Sequence, residues 1–228
     1  VLDIRIDDKL GRFYHVCMVE RPNIPSAVEK VEFIDIPGRE NGSLTKKNGY
    51  EDVDFTINFN LLEGENVKPL LRKIKKWLRG AKTLSFTDDN VYRKIKSVDI
   101  GDIDNQFEEY GQFEVTFKSD PYEYIIEQPI DLTMPMTLMN YGTLYSLPKF
   151  TITGSGTVTI YVNGLAFQIK DIVNPVVVDS DLSLCYSGSF PMNNKMIGNF
   201  PVLKEGENEI LWTGTVSKIE LEVRGRYV

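Results

Sequence analysis

The run from Tyr50 to Leu61 constrains this chain more than any other. Val53, Phe55, Ile57, Phe59 and Leu61 fall on one side of an extended backbone, and Asp52, Asp54, Thr56, Asn58 and Asn60 fall on the other. A period of two is the mark of a strand with one apolar and one solvated face. Parallel sheets are covered on both faces, so a strand with a wet face belongs to an antiparallel sheet. The chain must therefore supply antiparallel neighbours for this strand and something apolar to cover it.

The neighbours are legible. In the stretch Phe107 to Tyr124, Phe113, Val115 and Phe117 alternate with Glu114, Thr116 and Lys118. Asp120-Pro121 then stops the strand, because proline lacks the N–H that a ladder needs and biases the residue before it. Ile4 and Ile6 alternate with charged residues, Phe13 to Val19 and Val31 to Ile36 read as further strands, and Leu84 to Phe86 and Val91 to Ile100 flank a turn at Asp88-Asp89-Asn90. Pro37 to Gly42 carries two glycines and an Asn-Gly pair, the composition of a tight reversal or a short exposed loop.

The cover is a helix over residues 67–80. Pro69 sits in its first turn, Gly80 caps its end, and Leu70, Leu71, Ile74, Trp77 and Leu78 recur at helical spacing. Lys68, Arg72, Lys73, Lys75, Lys76 and Arg79 make the rest basic. Such a helix can lie on a membrane or serve as a calmodulin-type target. The closely flanking strands favour an apolar stripe packed on its own sheet and a solvated basic face.

Beyond Pro121 the pattern changes. Ile130 to Tyr145 reads as a connecting segment, and after it come only short strands and turns. Asn163-Gly164 between Thr157–Val162 and Leu165–Ile169 is the sharpest hairpin signal in the sequence. Closely spaced strands without a helix indicate a sandwich or jelly roll. The fold class read here is mainly β with a single α-helix in the N-terminal domain: residues 1–130 as a β-sandwich-like domain and residues 131–228 as a second sandwich. The linker is expected between Ile126 and Pro135.

Composition removes several functions. With 26 Lys and Arg against 33 Asp and Glu, the net charge is −7, and an acidic surface repels phosphate, which argues against a dedicated nucleic-acid binder. No apolar run reaches the length of a membrane span. No secretory leader is read at the start, and the sequence opens on Val1, leaving room for residues upstream. Cys17 and Cys185 match no zinc or redox spacing and read as two separate thiols, as in a reducing cytosol.

Catalytic and metal motifs are lacking. His15 is the only histidine, and no acid or nucleophile is placed beside it. There is no P-loop, no G-x-S-x-G and no H-E-x-x-H. Asp99, Asp102, Asp104, Glu108 and Glu109 cluster, but without the central glycine and ligand spacing of a calcium loop, so the segment Asp99 to Glu109 reads as a solvated acidic loop. No catalytic residue, cofactor or metal is assigned. The chain reads as a binding or structural protein.

Four stretches carry a resemblance: Ile36-Pro37-Gly38-Arg39-Glu40-Asn41-Gly42 ahead of the alternating strand; the helix followed by Leu84-Ser85-Phe86-Thr87-Asp88 and a strand bearing Tyr92; Gly111-Gln112-Phe113-Glu114-Val115-Thr116-Phe117 leading to Asp120-Pro121-Tyr122; and Gly206-Glu207-Asn208-Glu209-Ile210 with a last strand bearing Arg224 and Arg226. In this order they resemble the distal tail (Dit) proteins of siphophages that infect Gram-positive bacteria. The resemblance implies a baseplate hub. The N-terminal domain builds a closed ring of six copies, and a galectin-like C-terminal sandwich points outward. The implied partners are further copies of the chain, the tail tube protein, the tail-tip or tail-associated lysin protein and receptor-binding proteins. DNA passes through the ring without sequence-specific binding, no membrane is involved, and the protein is made in the host cytoplasm and resides in the virion tail tip. Opposite charges on two ring faces, or facing the tube, are expected from Arg72, Lys73, Lys75, Lys76 and Arg79 on one side and Asp102, Asp104, Glu108 and Glu109 on the other. The alternative reading is a carbohydrate-binding module acting in adsorption to the host wall through exposed aromatics such as Trp212 and Tyr161. A glycoside hydrolase would need a carboxylate pair that spacing alone does not supply.

Overall fold

The computed structural model describes residues 2–38, 40, 42–61, 67–107 and 110–228. The chain forms two compact units, Val1–Glu123 with Val228, and Tyr124–Tyr227. The division lies ahead of the expected 130/131 boundary.

In the first unit the strands are β1 (Ile4–Ile6), β2 (Lys9–Leu10), β3 (Val16–Met18), β4 (Glu29–Ile34), β5 (Leu44–Tyr50), β6 (Val53–Leu61), β7 (Thr83–Phe86), β8 (Val91–Phe107) and β9 (Tyr110–Ser119), with helix α1 at Val67–Arg79. The order is β2-β1-β7-β8-β9-β6-β3, antiparallel at every pairing, while β4 and β5 pair only with each other. The alternation in β6 does what the sequence demands: Phe55, Ile57 and Phe59 stand opposite Phe117, Val115 and Phe113. The paired rings lie 5.6 and 5.5 Å apart, in stacked contact. On the wet face Thr56 and Thr116 share a hydrogen bond of 2.9 Å. The buried stripe of α1, Leu70, Ile74, Trp77 and Leu78, joins the same core as Ile4, Ile6 and Leu84. Tyr14 stacks on Trp77 at 4.4 Å.

Two local readings change. Phe13 to Val19 is not one strand. Gly11–Tyr14 is a 3-10 turn that His15 closes in a left-handed conformation (φ 55°) before β3 begins. The segment Asp99 to Glu109 is no loop as far as it is described: β8 continues to Phe107. Its backbone pairs with β9 on either side of two bulges, Asp99 opposite Thr116 and Asp104 opposite Gln112, with register shifts between Ile100 and Ile103 and between Asp104 and Phe107. Bulges let a strand carry extra residues without losing its ladder, and the acidic residues hid that continuation. Asp120-Pro121 stops β9 as expected, and the Asp120 N–H donates to the Lys94 carbonyl at 3.0 Å.

The second unit contains β11 (Ile130–Leu132), β12 (Met136–Asn140), β13 (Lys149–Val162), β14 (Leu165–Ile172), β15 (Val176–Asp179), β16 (Leu184–Ser187), β17 (Phe190–Pro191), β18 (Met196–Ile197), β19 (Gly206–Glu222) and β20 (Arg226–Tyr227), after β10 (Glu123–Ile125) at the division. Ile130 to Tyr145 is therefore not a plain connector, because β11 and β12 both pair with β19. Prolines at 129 and 135 flank β11, which disguised it. The long strands β13 and β19 run side by side through two layers. Their first-layer ends meet β11 and β15, and their other ends meet β12 and β14. At the corner the register shifts, and a methyl group added at Gly154 or Gly214 would strike the carbonyl oxygen of Thr215 or Thr157. Strands that change sheets bend at such places. Phe150, Ile152, Val158, Ile160, Phe167, Ile210 and Leu221 fill the space between the layers. Asn163 and Gly164 both adopt positive φ, as a two-residue hairpin requires.

A buried ion pair fixes the end of this sandwich. Asp179 is held by Arg224 through two bonds of 2.9 and 3.1 Å and by the N–H groups of Asp181 and Leu182. Burial pushes its carboxyl up, but the bonds from Arg224 and those two N–H groups win and hold the pKa below the ordinary 3.8. A depressed folded pKa gives stability that is complete above the unfolded value and is lost as pH falls through the folded one. Asp179→Asn is expected to destabilise the second unit by about 3 kcal/mol at neutral pH. It should also flatten the acid limb of the stability curve below pH ~4, both read by urea titration across pH.

Candidate assembly surface

The β4–β5 hairpin has no place in either core. Among the described residues both strands pair only with each other, so each presents an edge without a partner there. Lys47–Glu29 at 2.9 Å and Lys46–Glu32 at 4.0 Å brace it. Neither face is covered: no residue from Lys30 to Ile34 or from Leu44 to Gly49 is buried, and Phe33 is 69% exposed beside exposed Val31, Ile34, Ile36 and Leu44. A lone two-stranded hairpin is marginal in water, and open strand edges are templates for pairing. The turn Pro37 to Gly42 includes Arg39 and Asn41, which lie outside the described residues, while Gly38 and Gly42 both take positive φ. Sequence reasoning found the strand in Val31 to Ile36 but not that its apolar residues are exposed. The missing signal was a second apolar run to pair with them, since β5 reads LTKKNGY.

The basic face of α1 is the second surface. Arg72, Lys73, Lys76 and Arg79 are exposed and Lys75 is half-buried. Among the described residues none of these five forms an ion pair. Asp102 is exposed and likewise unpaired among the described residues. Asp104 contributes backbone to β8, its side chain lying outside the described set, as do Glu108 and Glu109 altogether. Among the described residues no ion pair joins the helix cations to Asp102.

A cavity of about 360 Å³ opens in the first unit, with Leu2, Phe55, Leu84 and Val91 among its walls. Arg93 lines it and is buried. Its Nη2 donates to the Glu123 carboxylate and to the Pro25 carbonyl, and its guanidinium carbon lies 6.0 Å from the centre of the Phe55 ring. The Nη1 group is sealed from solvent and has no acceptor. At the rim Arg21 and Asp88 pair at 2.8 Å.

Elsewhere the chemistry is quiet. Among the described residues no cluster of three His, Cys, Asp or Glu side chains has metal-binding geometry. Both cysteines are free, and burial pushes the Cys185 thiol up to about 11. Trp212 and Tyr161, proposed as exposed sugar platforms, are each half-buried, and Trp212 packs on the sandwich core.

No protein-family model matches the sequence, and no curated protein does either. Solved structures do. The chain superposes on Dit of phage SPP1, described as a paradigm of the hub adsorption apparatus in phages infecting Gram-positive bacteria. The TM-score is 0.68 at 13% identity, with both chains covered in full. It also matches a chain of the phage p2 baseplate in its activated conformation. With calcium the TM-score is 0.56 at 11% identity, covering 100% of this chain and 98% of that one; with strontium it is 0.54 at 11% identity, covering 97% of each.

The exposed hairpin is separable from stability. Phe33→Ser should change the unfolding free energy by no more than ~0.5 kcal/mol, whereas Ile74→Ala in the core should cost about 2–5 kcal/mol, both measured by chemical denaturation. The chain shares its mainly β fold with Dit of phage SPP1.

Proposed function

We propose that this protein is a structural component of a phage tail, a baseplate hub in which six copies close into a ring. The ring joins the tail tube to the tail-tip protein, with receptor-binding proteins attached at its periphery. What carries the reading is the full-length match to SPP1 Dit across both units. A match confined to one sandwich would carry much less, because sandwiches serve many functions.

The first unit builds the ring in this reading, and the second faces outward. Cyclic rings use head-to-tail contacts, so each copy needs two different complementary surfaces. The hairpin supplies one, since its apolar side chains and edges have no partner among the described residues. The unpaired cations of α1 suit an acidic face, either on the next copy or on the tail tube protein. DNA slides through the ring without sticking where carboxylates line it, as the excess of acidic residues in a chain of net charge −7 allows. The protein is made in the host cytoplasm and ends in the virion tail tip.

The purified chain, alone or with its tail tube protein, should give particles at six times the 26.0 kDa chain mass by mass photometry, and rings by negative-stain microscopy. Reversing Lys73, Lys75 and Lys76 to Glu should weaken ring formation or tube docking by at least tenfold. A chain that stays monomeric in both mixtures, or assembly indifferent to the charge reversal, would overturn the ring or the helix assignment respectively.

A further inference from the structure

We propose that the Arg93 cavity is the socket for the β4–β5 hairpin of a neighbouring copy, with Phe33 as the inserted side chain. The inference rests on the ring reading above and names the contact that closes it. Three observations converge on it.

The first is the chemistry of the walls. Leu2, Phe55, Leu84 and Val91 present apolar surface, and a volume of about 360 Å³ lies at the small end of ligand sites, room for one or two side chains. The second is the charge balance. Arg21 is paired with Asp88 and Arg93 with Glu123, while Asp89 at the rim adds a further negative charge. An anion would gain nothing here. The donor left over, Arg93 Nη1, calls for a neutral acceptor, and a backbone carbonyl is the commonest one. That nitrogen is sealed from solvent, so a carbonyl reaches it only as the wall beside it shifts, and Arg21 to Pro25 belongs to no strand or helix, so no ladder has to break for that shift.

The third observation is that the chain itself carries the matching part. The hairpin offers a bulky ring, Phe33, flanked by Val31 and Ile34, all exposed. Its two edges are unpaired and carry free carbonyls. Knob and socket are different surfaces on one chain, which is the condition for a head-to-tail contact that closes.

The test uses the full chain. In a Cys17→Ser background, with buried Cys185 left in place, Phe33→Cys and Val91→Cys are combined and oxidised mildly. The expected product on a non-reducing gel is a covalent ladder of up to six chains, whereas each single variant stops at a dimer. A fast-migrating, internally bridged monomer would overturn the proposal, because the hairpin would then be filling its own cavity. No ladder from a preparation that still forms rings would overturn the socket and leave the ring reading standing. No ladder and no rings would overturn both. A second readout avoids cysteine: Phe33→Asp should raise the concentration for half-maximal assembly at least tenfold, and Phe33→Leu should restore most of it. Equal assembly by the two variants would also refute the contact.

Discussion

The first unit depends on one face of one antiparallel pair. Phe55, Ile57 and Phe59 on β6 meet Phe117, Val115 and Phe113 on β9, and this six-residue apolar sheet surface needs a cover. The helix supplies it with Leu70, Ile74, Trp77 and Leu78. Each such side chain contributes about 1.5–3 kcal/mol when fully buried, so the strand pair and helix together outweigh any surface term in the unit. Everything else is attached to this layer. The short β1 docks on β7, and Asp7 Oδ1 accepts from the Thr83 and Lys82 N–H groups at 3.0 and 3.1 Å. The alternating pattern of twelve residues thereby fixes where the helix sits and which of its faces is left to solvent.

What the sequence disclosed follows from which signals are local. Period two in β6 and β9, the proline stop after Ser119, the helical stripe and the Asn163-Gly164 turn are each written within a few residues, and each is found where it was read. Two of the misreadings share a cause: acidic or proline-flanked composition was taken to mean loop or connector. Asp99 and Asp104 lie in a strand because β9 supplies a partner for their backbone, Asp102 sits in the bulge between Ile100 and Ile103, and the exposed carboxylates of Asp99 and Asp102 cost little on a solvated face. β11 escaped notice because its partner, around Ile219 to Leu221, lies almost ninety residues away. Non-local pairing leaves no local trace. Val31 to Ile36 reads as a strand and is one in β4, but nothing in the run says that its apolar residues stay exposed. Periodicity tells which residues want burial, not whether their own chain buries them.

The candidate surfaces show the same division. The cations of α1 were legible because a helix with a buried stripe must expose the rest. The Arg93 cavity was not, since its walls come from residues as distant as Leu2, Phe55 and Glu123, and nothing in the neighbourhood Tyr92-Arg93-Lys94 marks the middle residue as buried. Arg93 alternates with half-buried neighbours on a strand whose inward face happens to carry a charge. That inward charge is neutralised by Glu123, near the end of the first unit, so it exists only once the unit has closed.

Stability and, in the ring reading, assembly draw on separate residues. Phe33, Val31 and Ile34 contribute nothing to either core, and leaving them in water has a cost that the monomer recovers nowhere. Selection for solubility alone would replace them with Thr, Lys or Glu, which keep strand propensity and protect an edge. The same holds for four cations on consecutive turns of α1: like charges at i,i+3 and i,i+4 disfavour the helix slightly, and no carboxylate among the described residues relieves them. Two surfaces that each weaken the isolated chain, on opposite principles, one by exposed apolar area and one by unbalanced charge, are accounted for together if the isolated chain is not the working form. The hairpin then gains its burial and edge pairing, and the helix its counter-charge, only on assembly, which makes assembly and not folding the step that these residues govern.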